Sequence, residues 1–230
     1  MIEDNISKVK ERVALACSKA LRNESAIKIV AVSKGRQVEE IIEAVACGFY
    51  DIGENKIQEA KAKYSDKRLA INAMPIKWHM VGHLQTNKAR EAVEIFDLIQ
   101  SVDSLYLAKE INKQAARINK IQNILIEIKT SPETAKFGLN PDEAFGVIKE
   151  ISKFKNISIK GLMTIAPLVD DPQKARPYFK KLRELRDRIN SLQFTAYRLQ
   201  LLSMGMTDDF EIAIEEGADM VRIGRAIFNS

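Results

Sequence analysis

Residues 197–226 read YRLQLLSMGMTDDFEIAIEEGADMVRIGRA. They hold one full cycle of an alternating chain. YRLQLLS (197–203) is an apolar run that predicts a strand. Asp208 and Asp209 open a helix, where negative charge suits the helix dipole, and Gly217 closes it. ADMVRIG (218–224) predicts a second strand. Two strands separated by a helix predict a parallel pair.

The same cycle runs upstream. KIVAVS (28–33) is β-branched and apolar, and predicts the first strand. FYDIG (49–53), IKWHMVG (76–82), DLIQSV (97–102), NILIEIK (123–129) and ISIKGLMT (157–164) follow as strands two to six. Helical patterns separate them. Val38, Ile41, Ile42 and Val45 recur at i, i+3, i+4 and i+7, and Gly48 ends that helix. Further helices are predicted over 55–64, 86–95 and 172–190, another after a cap at Asp103 or Ser104, and another with Asn140 as cap and Pro141 in its first position. A first helix over about 3–21 carries Ile6, Val9, Val13 and Ala16 on one face.

Eight strand–helix units predict an α/β fold, a single (β/α)8 TIM barrel over residues 1–230. An open doubly wound sheet is the alternative, and usually has fewer strands. The sequence after the eighth strand leaves room only for a truncated last helix. The extra N-terminal helix is expected to cover that gap.

Composition narrows the class. Nearly half of the 230 residues are apolar and 29% are charged, enough for one sizeable core. Lys and Arg outnumber Asp and Glu by 36 to 31, but the signs are interleaved, as in KKLRELRDRIN. No basic block or aromatic platform predicts a nucleic-acid partner. No apolar run reaches the roughly 18 residues of a membrane span, and the charged N-terminus lacks a signal-like stretch, so a cytoplasmic protein is expected. Cys17 and Cys47 fall in apolar helical stretches and read as small core residues.

In such a barrel, ligands meet the C-terminal ends of the strands. Lys34 follows the first strand, where a partly dry mouth would lower its pKa and make its amine a nucleophile toward an aldehyde. SMGMTDD (203–209) and RIGRA (222–226) each place a glycine before a helix start, where free N–H groups point at an anion. These are the two loops that often hold phosphate in barrels. His79 and His83 flank a turn at Gly82 with no acidic third ligand close in sequence, so no metal is expected. Either would be a hydrogen-bonded or ring-packing histidine beside the ligand. Ser203 lacks the G-x-S-x-G context of a nucleophile elbow. Arg222 suits either a rim salt bridge or the ligand. Lys136 reads first as a surface lysine, with contact to a ligand as the alternative.

These segments resemble a known family. AVSKGRQVEEI (31–41), FYDIGENKIQEA (49–60), KWHMVGHLQTNK (77–88), IQSVDS (99–104), KFGL (136–139), IKGLMTIAP (159–167) and LSMGMTDDFEIAIEEGADMVRIGRAIF (202–228) are similar, in order, to the pyridoxal phosphate (PLP) homeostasis proteins, the YggS-like family. The resemblance implies a barrel like the N-terminal domain of alanine racemase, with PLP as cofactor. It implies that Lys34 carries PLP as a Schiff base, that Asn55 lies near the ring, and that Ser203, Met204, Gly205, Arg222 and Gly224 supply phosphate and ring contacts. His79 is counted with this site. Arg222 would face the pyridine nitrogen and leave it unprotonated, a poor electron sink. The racemase also uses a tyrosine from a second domain, for which this chain shows no source. The resemblance therefore implies PLP buffering and delivery to PLP-dependent apoenzymes, by a monomer, rather than turnover. A PLP-dependent amino acid racemase and a barrel enzyme acting on phosphosugars are the alternatives. The sequence departs from the family at Gly35, Arg36 and Gln37, where Thr-Lys-Pro is common, at Met80, where Phe is common, and in closing on Asn229 and Ser230.

Overall fold

The computed structural model describes residues 1–71, 76–132, 137–192 and 198–229. Among them, eight parallel strands close into a barrel in sequence order. They are β1 (Lys28–Val32), β2 (Asp51–Glu54), β3 (Lys77–Met80), β4 (Leu98–Val102), β5 (Gln122–Glu127), β6 (Ile157–Met163), β7 (Leu201–Ser203) and β8 (Met220–Ile223). β8 closes on β1 with Lys28 opposite Met220 and Ala31 opposite Ile223.

The helices are α1 (Ile2–Lys19), α2 (Val38–Ala46), α3 (Ile57–Tyr64), α4 (Lys67–Ile71), α5 (Ala89–Ile95), α6 (Leu105–Arg117), α7 (Pro141–Ile151), α8 (Arg176–Ser191), α9 (Phe210–Glu215) and α10 (Arg225–Phe228). The stub expected after β8 is the four-residue α10. The predicted N-terminal helix packs against α2, α9 and α10. Asn5 ties it down by donating to the carbonyls of Ile227 and Asn229.

Two apolar layers form. The larger lies between strands and helices and contains Ile41, Ile52, Phe96, Ile111, Phe179 and Phe210. The smaller fills the barrel interior with Val30, Val81, Leu98, Leu125, Met163 and Met220. Buried polar residues of the strands share that interior, as the site shows below.

Several boundaries move for local reasons. β2 starts at Asp51 rather than 49, because the Phe49 N–H is spent on the Ala44 carbonyl at the end of α2. The helix predicted from 172 begins as a 3-10 turn, Pro172–Ala175, before α8. Pro177 has no N–H to donate to the Gln173 carbonyl, which separates the two. Ser104, rather than Asp103, caps α6 by accepting the Leu107 N–H at 3.2 Å. β7 shrinks to three residues, and the start of its predicted run, Tyr197, lies outside the described residues. The short helix α4 is not anticipated by the sequence reading. No helix among the described residues is long and apolar enough to cross a membrane.

Candidate functional site

A cavity of about 360 Å³ opens at the C-terminal ends of the strands. Lys34, Asn55, Thr207, Arg222, Gly224 and Arg225 line it. Four of the eight residues predicted from sequence therefore meet in one place: Lys34, Asn55, Arg222 and Gly224.

Lys34 does not extend β1. Arg36 donates its N–H to the Ser33 carbonyl at 3.0 Å, and Gly35 has φ +69°, so Lys34 sits on a turn. A positive φ at the third residue of a turn favours glycine. The turn lifts Lys34 off the strand and leaves it exposed, which corrects the expectation of a partly dry position. Its amine has no hydrogen bond or ion pair among the described residues, so it is free to react at the cavity wall.

The turn is anchored from below. The Lys63 amine, reaching from α3, donates to the Ser33 carbonyl and to Glu54 Oε1, each at 2.6 Å. The Ser33 hydroxyl also donates to Glu54 Oε1, at 2.5 Å. The Gly35 N–H donates to Glu59 Oε2 at 2.9 Å. Asn55 is placed by close backbone approach: a Cβ at Gly82 would meet the Asn55 carbonyl oxygen at 2.4 Å.

Arg222 is buried on β8 and still lines the cavity. It donates from Nη1 to Ser203 Oγ and from Nη2 to the Thr164 carbonyl, both at 2.7 Å. Burial pushes its pKa down to about 10, while the charges of Glu127 and Asp209 act the other way. It remains a cation at neutral pH.

Ser203 and His79 lie behind Arg222 rather than on the cavity wall. The Ser203 hydroxyl donates to Gln100 Oε1 at 2.6 Å. Gln100 Nε2 is 3.0 Å from His79 Nδ1, and His79 Nε2 is 2.8 Å from Asp51 Oδ1. Met204 points into the outer core, and its N–H donates to the Met220 carbonyl at 3.1 Å. Gly205 shapes the turn: φ is +90°, and a Cβ there would meet Ala213 Cβ at 2.5 Å. Its carbonyl accepts the Arg222 N–H at 3.0 Å. The Met206 N–H is held by Asp209 Oδ1 at 2.6 Å. Much of the polar capacity of the SMGM segment is thus spent internally. Met206, Thr207 and Asp208 of the first loop and Arg222, Gly224 and Arg225 of the second reach the cavity, with Arg225 ion-paired to Asp208.

The opposite side of the mouth carries a second set. His83 Nδ1 is 3.3 Å from Asp103 Oδ2, and the His83 ring stacks on Phe137 at 3.6 Å. Glu127, buried at the end of β5, is pushed up to about 7 by burial first and by Asp103 second, with Arg222 opposing. The two histidines go to separate partners. Lys136 lies outside the described residues. Among those described, no three His, Cys, Asp or Glu side chains group as a metal site.

Gln100 and Thr207 were not singled out from sequence, and Arg225 was noted only as a residue after the eighth strand. Gln100 carries a legible signal: an uncharged polar residue amid the apolar run DLIQSV, where every other strand position is buried. Thr207 carries none beyond its loop.

Comparison with known proteins places the chain in a family. Residues 2–230 match the family described as alanine racemase, N-terminal domain. The pyridoxal phosphate homeostasis protein of Aquifex aeolicus is 41% identical over 225 residues, covering 98% of this chain and 96% of that protein. The structure of PipY from Synechococcus elongatus PCC7942 with PLP bound superposes with a TM-score of 0.86 at 30% identity, over the whole of both chains. Alanine racemase of Clostridium difficile 630 superposes with a TM-score of 0.76 at 15% identity over 100% of this chain and 56% of that one, and shows the fold alone. The chain belongs to the pyridoxal phosphate homeostasis protein family, on the barrel of the alanine racemase N-terminal domain.

Proposed function

We propose that this chain binds PLP at the barrel mouth, carries it as a Schiff base on Lys34, and acts in PLP homeostasis without a dedicated turnover reaction. The observation that carries the reading is the pairing of an unpartnered lysine amine with a buried guanidinium on the wall of one cavity of about 360 Å³. The volume suits a small aromatic ligand. The cofactor, when bound, supplies an aldehyde that a lysine amine can mask reversibly.

The chain's own groups divide the remaining work. Arg222 has donors only, so it offers a ring nitrogen a hydrogen bond and opposes that nitrogen's protonation. Thr207, Gly224 and Arg225 provide a hydroxyl, backbone N–H groups and a cation for a phosphate. Asn55 supplies an amide beside Lys34. Among the described residues that line the cavity there is no tyrosine, histidine or cysteine. The carboxylate on that wall, Asp208, is ion-paired with Arg225, so a second base opposite Lys34, which racemisation needs, has no unpaired candidate among them. That favours a carrier over an amino acid racemase. One barrel domain over residues 1–230, acting in the cytoplasm as a monomer and passing PLP to apoenzymes, completes the reading.

The test is the visible spectrum of the full chain loaded with PLP, before and after an amino acid is added. A yellow protein, lost in Lys34→Ala with unchanged circular dichroism and no turnover of free amino acids, is expected. A colourless loaded wild type would reject PLP carriage and leave the phosphosugar reading. Steady racemisation above background would restore the enzyme reading.

A further inference from the structure

The barrel interior holds a line of polar side chains that runs from its N-terminal end to the cavity. Asp51 on β2, His79 on β3, Gln100 on β4, Ser203 on β7 and Arg222 on β8 are linked by contacts of 2.8, 3.0, 2.6 and 2.7 Å in that order. His79, Gln100, Ser203 and Arg222 are all buried. In a dry interior each of these groups must be satisfied, and a mismatched one is costly.

The chemistry of the two ends sets a direction. A guanidinium only donates, so Ser203 Oγ accepts from Arg222 and must send its own proton onward. Gln100 Oε1 takes that proton. At the other end of the amide, Gln100 Nε2 is 3.0 Å from Met220 Sδ, a thioether that only accepts. Both neighbours therefore demand the same orientation of the Gln100 amide. Its NH2 group then faces His79 Nδ1, which must be a bare lone pair. The single His79 proton is left on Nε2 and is donated to Asp51.

We propose that Gln100 is a positioning residue of the cofactor cavity. It is the centre of a one-way donor chain that fixes His79 as the neutral Nε2–H tautomer and seats Arg222 with its unused N–H groups toward the cavity. The ligand side of this inference rests on the reading of the cavity as a PLP site; the tautomer does not. Protonating His79 on Nδ1 sets donor against donor at Gln100. The amide answers only by turning, which brings its oxygen against Met220 Sδ and a donor against the Ser203 proton. The Ser203 hydroxyl then loses the acceptor of its own proton and must rotate, which disturbs the oxygen that seats Arg222. The charged groups facing His79 are Asp51 on β2 and, through Asp51, Lys28 on β1 at 3.3 Å. Burial opposes ionisation of Asp51, but the hydrogen bond from His79 and the nearby charge of Lys28 act the other way, and the carboxyl stays below its ordinary value.

The chain has two histidines, so nitrogen-15 NMR of the ring nitrogens in the ligand-free full chain reads both, and His83→Gln assigns the His79 signals. A neutral ring with the proton on Nε2 is expected; a proton on Nδ1 or an imidazolium at neutral pH overturns the proposal, whether or not any variant folds. Gln100→Glu has no donor for Nδ1 and is expected to convert His79 to the imidazolium. Gln100→Met is expected to weaken PLP binding severalfold, about the worth of one neutral hydrogen bond, by loosening the Ser203 hydroxyl that seats Arg222. Unchanged affinity in a folded Gln100→Met would overturn the positioning role. If the wild type itself bound no PLP, the cavity reading would fail while the NMR result still judged the chain.

Discussion

Glu54 and Lys63 form an ion pair at 2.6 Å with both side chains buried, and the same amine holds the carbonyl of Ser33, the residue before Lys34. Lys34 is exposed, yet the turn that presents it is fastened from inside the protein. Removing one member of a buried pair strands the other charge.

Lys63→Met is therefore expected to cost about 3–5 kcal/mol, read as a lower midpoint in urea denaturation. Adding Glu54→Gln should recover part of the loss, because a glutamine carbonyl still accepts the Ser33 hydroxyl and no charge is left buried. A single variant as stable as wild type would show that the pair fastens nothing.

Glu127 predicts a pH dependence. Its folded pKa, about 7, lies above the ordinary value of 4.5. The folded state therefore holds the proton more tightly than the unfolded chain. The stability from this group is complete below about pH 4.5 and is lost as pH rises through 7. At about 1.4 kcal/mol per unit, the loss is roughly 3 kcal/mol. Glu127→Gln should remove this slope and be more stable than wild type at pH 8, with the difference vanishing near pH 4. Chemical denaturation across that range checks it, and parallel curves for the two proteins would refute it.

Gly82 predicts a cost of a different origin. A methyl group there meets Asn55 backbone rather than a movable side-chain end. Gly82→Ala is expected to destabilise the protein by about 1–3 kcal/mol and to displace Asn55, weakening PLP binding. Gly146→Ala, whose Cβ meets nothing within 4 Å, is the control and should leave PLP binding unchanged. Equal PLP affinity in both variants would separate Asn55 from the ligand.

The barrel was legible because strand and helix periodicities alternate without interruption, and a parallel strand needs both faces apolar. The cavity residues Lys34, Asn55, Arg222 and Gly224 were legible because each follows a strand or lies near its C-terminal end. What escaped was long-range. Nothing local in IQSVDS tells Gln100 that Ser203 and His79 will be its partners, 103 and 21 positions away. Met204 was expected beside the ligand, whereas its side chain packs in the outer core, because a strand-end residue alternates faces and the short β7 turns it toward the helices. Lys34 was expected drier than it is, since the Gly35 turn depends on a positive φ that the residue before it does not announce.

The central claim is that the amine of Lys34, and no other, receives PLP. Borohydride reduction of the PLP-loaded full chain followed by peptide mass mapping tests it. The account predicts the reduced pyridoxyl group on the peptide containing Lys34. Substoichiometric PLP that labels a different lysine, with Lys34 unmodified, would contradict it.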